Sequence, residues 1–236
     1  MELHGKTVLI TGGAVRVGAR IAFAFARRGA RVLIHALRHR EEARLLAESL
    51  PGTGHAVLPA ADLALPDAGK ELFFAALAAA GNVDVLVSNA SCYRLTTPDA
   101  AERYRAVNFA APLELAAAFA AQKRPGAVIF VLDQVVLQKD PPQDNYTVSR
   151  VRLKEAVPGL ALEFAPLGIR VNAVAPGPMI PPEGLEGSKM EKTLRSVPLR
   201  RRVEPDDLAS AVCFLAENDS VTGAVLPVDC GQHLGK

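Results

Sequence analysis

Thr7-Val8-Leu9-Ile10-Thr11-Gly12-Gly13-Ala14-Val15-Arg16-Val17-Gly18-Ala19-Arg20-Ile21 is the stretch that decides the fold. Residues 7–10 are β-branched or aliphatic, as in a strand buried on both faces. Thr11-Gly12-Gly13 interrupts that run. From Val17 the apolar period turns helical, with Ile21, Phe25 and Arg28 at helical spacing and Gly29 as a stop. Strand, glycine turn and helix open a dinucleotide-binding unit. The glycines permit a tight turn and close backbone approach, and the helix N-terminus offers unpaired N–H groups to a pyrophosphate. A bare glycine turn is a weak pattern, so the rest of the chain must support it.

The chain has 236 residues, half of them apolar. That suits one α/β domain spanning 1–236. Its 27 Lys and Arg against 25 Asp and Glu leave no strong field to recruit nucleic acid or a membrane surface. The dense basic run Arg200-Arg201-Arg202 lacks an accompanying aromatic or charge stripe and reads as a solvated loop. Three cysteines fit a reducing compartment. No apolar run approaches the ~18 residues a membrane span needs, and no leader precedes the first strand, so a cytoplasmic protein is expected.

Four strands alternate with helices in the first half: 7–10, 30–35, 55–58 and 83–87, with helices from Val17, over 41–50 and over 66–80. That alternation predicts a doubly wound parallel sheet of seven strands, with helices on both faces and the ligand site at the strand C-termini. The remaining strands are expected at 127–132, 169–173 and 225–228, and further helices at 100–121, from Tyr146 and over 205–217. The second strand is followed by Arg38, His39 and Arg40 in place of an early carboxylate. Cations there suit a 2′-phosphate; a solvated basic turn is the plain alternative. Asp62, before Leu63, is placed to accept an adenine amino group or to cap a helix. Asn108 falls inside an apolar helix, as a satisfied polar residue or the holder of a water. Tyr146 and Arg150 stand one turn apart if a helix starts there. The cation is then expected to lower the phenol pKa, preparing a proton donor or acceptor. An ordinary helix start is the other reading. Cys213 reads as core, and 178–188 as a Pro- and Gly-rich lid over the site.

Thr11-Gly12-x5-Gly18, Asp62, Asn89-Ala90, Asn108, Tyr146, Arg170-Val171-Asn172 and Pro176-Gly177 occur in order, and together the chain resembles the short-chain dehydrogenase/reductase family over essentially its whole length. The resemblance implies a Rossmann fold, a nicotinamide cofactor and an Asn-Ser-Tyr-Lys tetrad. Asn108 and Tyr146 match; Asp133 stands at the Ser position and Arg150 at the Lys position. Arg16 replaces the middle glycine of the cofactor turn. Arg16 and Asp133 resemble the pteridine reductase branch, where the Arg holds cofactor phosphates and substrate and the Asp assists the Tyr in protonating a pterin nitrogen. Tyr93 falls where that branch stacks an aromatic on the pterin. The resemblance thus implies catalysis by Asp133, Tyr146, Arg150 and Asn108. It implies NADPH held by Gly12, Arg16, Val17, Gly18, Arg38, His39, Arg40, Asp62, Leu63, Asn89, Ala90, Tyr146, Arg150, Pro176 and Gly177. Substrate would meet Arg16, Ser91, Tyr93, Asp133 and Tyr146. Cys92 beside Tyr93 is a substrate contact or, more simply, a packing residue. No metal is implied, and a homo-oligomer, tetramer or dimer, is expected. A carbonyl reductase acting on a 3-oxoacyl group or sugar, and an NADPH-binding protein weakened by Arg150, remain alternatives. Pro158-Gly159 predicts a kink or break near Val157 in the helix that starts at Tyr146.

Overall fold

The first strand, β1 (Thr7–Thr11), lies third in a seven-stranded sheet whose order is β3-β2-β1-β4-β5-β6-β7, every pair parallel. The computed structural model describes residues 1–179 and 188–235. The other strands are β2 (Arg31–His35), β3 (Ala56–Val57), β4 (Val85–Ser88), β5 (Gly126–Val131), β6 (Ile169–Pro176) and β7 (Val225–Val228). The chain order reverses between β1 and β4, which opens a crevice beyond their C-terminal ends.

Alternation along each strand feeds two core layers. Leu9 faces a layer with Phe73 of α3 (Ala68–Ala80), Phe119 of α5 (Ala111–Ala120) and Leu153 of α6 (Asn145–Phe164). Val8 and Ile10 face the opposite layer, with Ile21 and Phe25 of α1 (Arg16–Ala26) and Leu208 and Val212 of α8 (Pro205–Glu217). Cys213 is fully buried in that second layer. The expected Rossmann architecture is present: one parallel sheet, doubly wound. Among the described residues no helix is long and apolar enough to cross a membrane.

Three local expectations change. The helix expected over 100–121 is α4 (Ala100–Arg105), a π-helical turn (Ala106–Ala110) and α5. Asn108 sits in that wide turn, and such turns gather at functional sites. The helix carrying Tyr146 does not break at Val157: α6 runs unbroken through Pro158. Pro158 and Gly159 lie on its exposed face, while Leu153, Val157, Ala161 and Phe164 are buried. A mid-helix Pro costs ~3 kcal/mol. Burying Leu153, Val157 and Phe164 at ~1.5–3 kcal/mol each outweighs that. A helix, α7 (Ser188–Ser196), starts where the lid was expected to end. Its mostly polar sequence carries little apolar period to announce it. Lid residues 180–187 lie outside the described residues. α2 (Arg40–Ser49) fills the remaining crossover after β2.

Candidate active site

The turn after β1 is held by sterics and by two neighbouring strands. A Cβ on Gly18 would lie 2.1 Å from the Gly12 carbonyl oxygen, so only glycine allows α1 to pass this close. Gly12 itself has φ +62° and packs on Ala90. Arg16, the first residue of α1, also adopts a left-handed φ of 53°, sparsely populated for a side chain of its size. Val15 precedes it with no side-chain cap, and no acid occupies the first turn. The helix N-terminus therefore keeps its N–H groups for an anion. This cradle fits a dinucleotide pyrophosphate.

Asn89 braces the turn. Its Nδ2 donates to the Thr11 and Gly12 carbonyls, both at 3.0 Å. The Asn89 and Ala90 N–H groups donate to Thr11 Oγ1, again at 3.0 Å. The Asn89 amide donors are thus engaged within the protein, which places this residue behind the turn. His35, at the end of β2, completes the brace. Its Nε2 lies 2.9 Å from the Ala61 carbonyl and its Nδ1 lies 3.4 Å from the Gly12 nitrogen. Nε2 must therefore carry the proton, leaving Nδ1 to accept from Gly12. Burial lowers the His35 pKa; the bond to Ala61 opposes that shift and Arg40 adds to it.

The basic turn divides. Arg38 is exposed, with no partner among the described residues. His39 lies 3.1 Å from Glu42. Arg40 donates to the Leu58 carbonyl. Asp62 caps no helix: its Oδ1 accepts from the Ala64 N–H at 3.0 Å, and Arg103 pairs with it at 3.3 Å. Leu63 is buried in the core, so its side chain faces away from the crevice. Val17 is partly buried against the α1 core layer.

Beyond β5, Asp133 accepts from the Val135 N–H through Oδ1 at 2.9 Å and from the Tyr146 hydroxyl through Oδ2 at 2.8 Å. Tyr146 is the second residue of α6, whose N-cap Asp144 accepts from Thr147 N–H at 3.0 Å. Its ring is enclosed edge-on by Tyr93 at 4.8 Å and Tyr104 at 5.9 Å between centroids. The Arg150 guanidinium lies 5.8 Å from the ring centroid and is almost fully buried. The expected lowering of the phenol pKa does not occur. Burial pushes the Tyr146 pKa well above the ordinary tyrosine range; Arg150 pulls it down by less, and Asp133 adds to the rise.

The Asn108 side-chain amide is saturated by protein partners. Oδ1 accepts from the Cys92 N–H at 2.9 Å and the Ser91 hydroxyl at 3.2 Å. Nδ2 donates to the Cys92 carbonyl at 3.1 Å and to Ser149 Oγ at 3.3 Å. Ser149 in turn donates to the Tyr146 carbonyl at 2.6 Å. Asn108 thus ties the segment after β4 to the start of α6. Cys92 packs against the core, and burial raises its thiol pKa, so it is no ready nucleophile. Arg170 and Asn172 are also structural. Arg170 donates to the Leu215 and Ala216 carbonyls at the end of α8, and Asn172 ties β6 to Val221 and Ala224.

Tyr93, Asp133, Tyr146, Pro176 and Gly177 line one cavity of about 490 Å³, a size suited to a small organic ligand. Gln134 and Gln232 line it too, and sequence reasoning missed both. Gln134 was legible only as the neighbour of Asp133; Gln232 carries no local signal. Tyr93 is half exposed, with Arg94 over its ring at 5.2 Å. Among the described residues no three His, Cys, Asp or Glu side chains cluster to hold a metal.

The family model described as enoyl-(acyl carrier protein) reductase matches residues 13–233. L-rhamnose 1-dehydrogenase (NAD(P)(+)) of Azotobacter vinelandii is 38% identical, covering 98% of each chain. The 3-oxoacyl-[acyl-carrier-protein] reductase FabG of Thermotoga maritima is 33% identical over 98% of this chain and 99% of its own. The crystal structure of FolM alternative dihydrofolate reductase 1 from Brucella canis, complexed with NADP, superposes with a TM-score of 0.88 at 32% identity, covering 100% of this chain and 97% of that one. With the glycine turn, the parallel sheet and the Tyr146 site on one edge, the chain belongs to the short-chain dehydrogenase/reductase family of nicotinamide-dependent oxidoreductases.

Proposed function

We propose that this chain is an NADPH-dependent reductase of a pteridine or dihydrofolate-type C=N bond. The observation that carries this reading is the 2.8 Å hydrogen bond from Tyr146 to Asp133 at the wall of the cavity that Tyr93 also lines. A carbonyl reductase needs one donor to one oxygen. A carboxylate paired with the phenol adds a second polar group, suited to a ring with several nitrogens.

The dinucleotide is held by the turn at 12–18 and the N-terminus of α1, with Arg38 placed for a 2′-phosphate. Bound there, the cofactor supplies the hydride, and the chemistry of that transfer is its own. The protein's part is orientation and proton supply. Tyr146 is protonated at neutral pH as any phenol is, and its raised pKa extends that to higher pH. It donates that proton to the substrate nitrogen as the neighbouring carbon is reduced. Arg150, permanently cationic, offsets the negative charge that develops on the phenolate. It cannot relay a proton as a lysine ammonium can. Asp133 orients the phenol, and Asn108 acts at one remove by positioning α6.

A second reading has its own support: L-rhamnose 1-dehydrogenase and FabG are relatives named for carbonyl or alcohol chemistry. One assay separates the two. NADPH oxidation is followed with dihydropterin and dihydrofolate, NADH serving as control and Arg150→Lys run alongside. Turnover with NADPH is expected, increased in Arg150→Lys. Silence of both proteins on pterins, with turnover of a 3-oxoacyl thioester or a sugar, replaces the pteridine reading by the carbonyl one.

A further inference from the structure

Three buried side-chain polar atoms among the described residues have no hydrogen-bond partner: Gln134 Oε1, Gln232 Oε1 and Arg150 Nε. Most buried polar atoms in folded proteins are paired, so each exception asks for an explanation. All three lie around the proposed substrate site. Gln134 and Gln232 line its cavity, and Arg150 lies against the Tyr146 ring.

The two glutamines reach the cavity from different strands, with β6 between those strands. Gln134 follows β5 and opens a 3-10 turn, Gln134–Leu137, capped by Asp133. Gln232 follows β7 and opens a second, Gln232–Leu234. Buried Asp229 anchors that turn: its Oδ1 accepts from the Gly231 N–H at 3.0 Å and its Oδ2 from the His233 N–H at 2.7 Å. Both backbones are therefore anchored while both side-chain carbonyl oxygens remain unmatched. Both oxygens are buried beside the cavity, and because the terminal torsion of a glutamine is broad, rotation about it can present either carbonyl to a ligand there.

We infer that Gln134 and Gln232 are specificity-determining residues that read the amino and ring N–H donors of an amino-substituted pyrimidine ring. The inference rests on the pteridine reading and assigns its recognition groups. A ring bearing an exocyclic amine and an adjacent N–H offers two donors to two acceptors. A site built to accept such hydrogen bonds discriminates strongly against a ligand that lacks them.

The test uses Gln134→Leu and Gln232→Leu in the full chain. Each removes the acceptor at little change in length. KM and kcat are measured with dihydropterin at saturating NADPH, together with NADPH affinity and thermal melting. The same measurements use a dihydropterin analogue without the 2-amino group. Expected is a KM for dihydropterin about tenfold higher in each variant. The KM of the des-amino analogue should change much less in at least one variant, and kcat, NADPH affinity and melting temperature should hold. An unchanged dihydropterin KM in both variants overturns the assignment. So does a lowered melting temperature in both, which would show amides paired within the protein. A native enzyme that turns over carbonyl substrates and no pterin removes the pteridine reading itself. Loss of that reading is thus told apart from a pterin reductase whose KM ignores these glutamines.

Discussion

The two ends of the crevice are built to opposite standards. At the cofactor end Thr11, Gly12, His35, Asn89 and Ala90 form a closed set of hydrogen bonds, and Thr11 and His35 are almost fully buried. At the substrate end Gln134, Gln232 and Arg150 keep unmatched buried atoms, and Tyr93 is half exposed. A satisfied network rigidifies; a partly satisfied one is stable only while its groups gain partners elsewhere. The cofactor cradle is therefore closed on itself, and the wall around the cavity still has hydrogen-bonding groups to satisfy.

The sharpest way to break that contrast is Tyr146→Phe. Losing a positioned proton donor typically costs 10²–10⁴-fold in rate, so kcat should fall by about that much. NADPH affinity should hold, because the hydroxyl's partner is Asp133 on the substrate side. Stopped-flow turnover beside a cofactor titration checks both. If affinity falls with kcat, the two ends are one coupled unit. The raised Tyr146 pKa adds a sign: the donor stays protonated as pH rises, so kcat should not drop from pH 7 to 9 through loss of this proton.

Asn108→Ala comes next, because Asn108 ties the segment after β4 to the start of α6. It strands the Cys92 N–H and carbonyl and removes a donor from Ser149. Each unsatisfied buried group costs ~1–3 kcal/mol. At ~2–4 °C per kcal/mol for a chain of this size, melting should fall by several degrees. The kcat should fall less than in Tyr146→Phe. An unchanged melting temperature would show that α6 is placed without this tie.

How much of this was legible depended on whether the signal was local. The strands and the glycine turn were readable because buried β-branched runs and glycines announce themselves over a few residues. Tyr146 and Arg150 were paired by their helical spacing, and Asp133 was located by the family resemblance. Their electrostatics were not legible, since burial by Tyr93 and Tyr104 outweighs Arg150, and those partners come from another part of the chain. Asn89 and Asn108 were read as cofactor and catalytic residues; the backbone and side-chain partners that also engage their amides were not legible, because they lie 16 to 78 positions away. The unbroken α6 carries the same lesson. Pro158 is a local signal, and the packing of Leu153 and Val157 beneath it is a tertiary one.

Gly18→Ala tests the cofactor end alone. Its Cβ would press on the Gly12 oxygen at 2.1 Å, so α1 or the turn must shift. Overpacking of this kind costs ~1–3 kcal/mol, roughly ten- to a hundredfold if all of it appears in NADPH affinity. The titration should show that weakening. Retained affinity would mean that the cradle yields without cost, contrary to its closed set of bonds.

The smallest effect is carried by His35, and it sets the pH range over which the cradle is intact. The unfolded imidazole takes a proton near its ordinary pKa of ~6.5. The buried one resists, because burial disfavours the cation and Arg40 adds to that, and protonation would also set a second N–H against the Gly12 N–H. Between the lowered native value and 6.5 the unfolded chain thus binds more protons, so stability rises with pH in that window. The contribution is complete above about 6.5 and is lost as pH falls through the native pKa. Urea unfolding of the protein without cofactor isolates the effect, since the 2′-phosphate of NADPH titrates near ~6 and would obscure it. His35→Gln removes the titration, and its stability should fall less steeply than the native protein's between pH 7 and 5. Parallel curves would show that the imidazole is protonated in the fold at no cost, and that Gly12 is held by Asn89 and Ala90 alone.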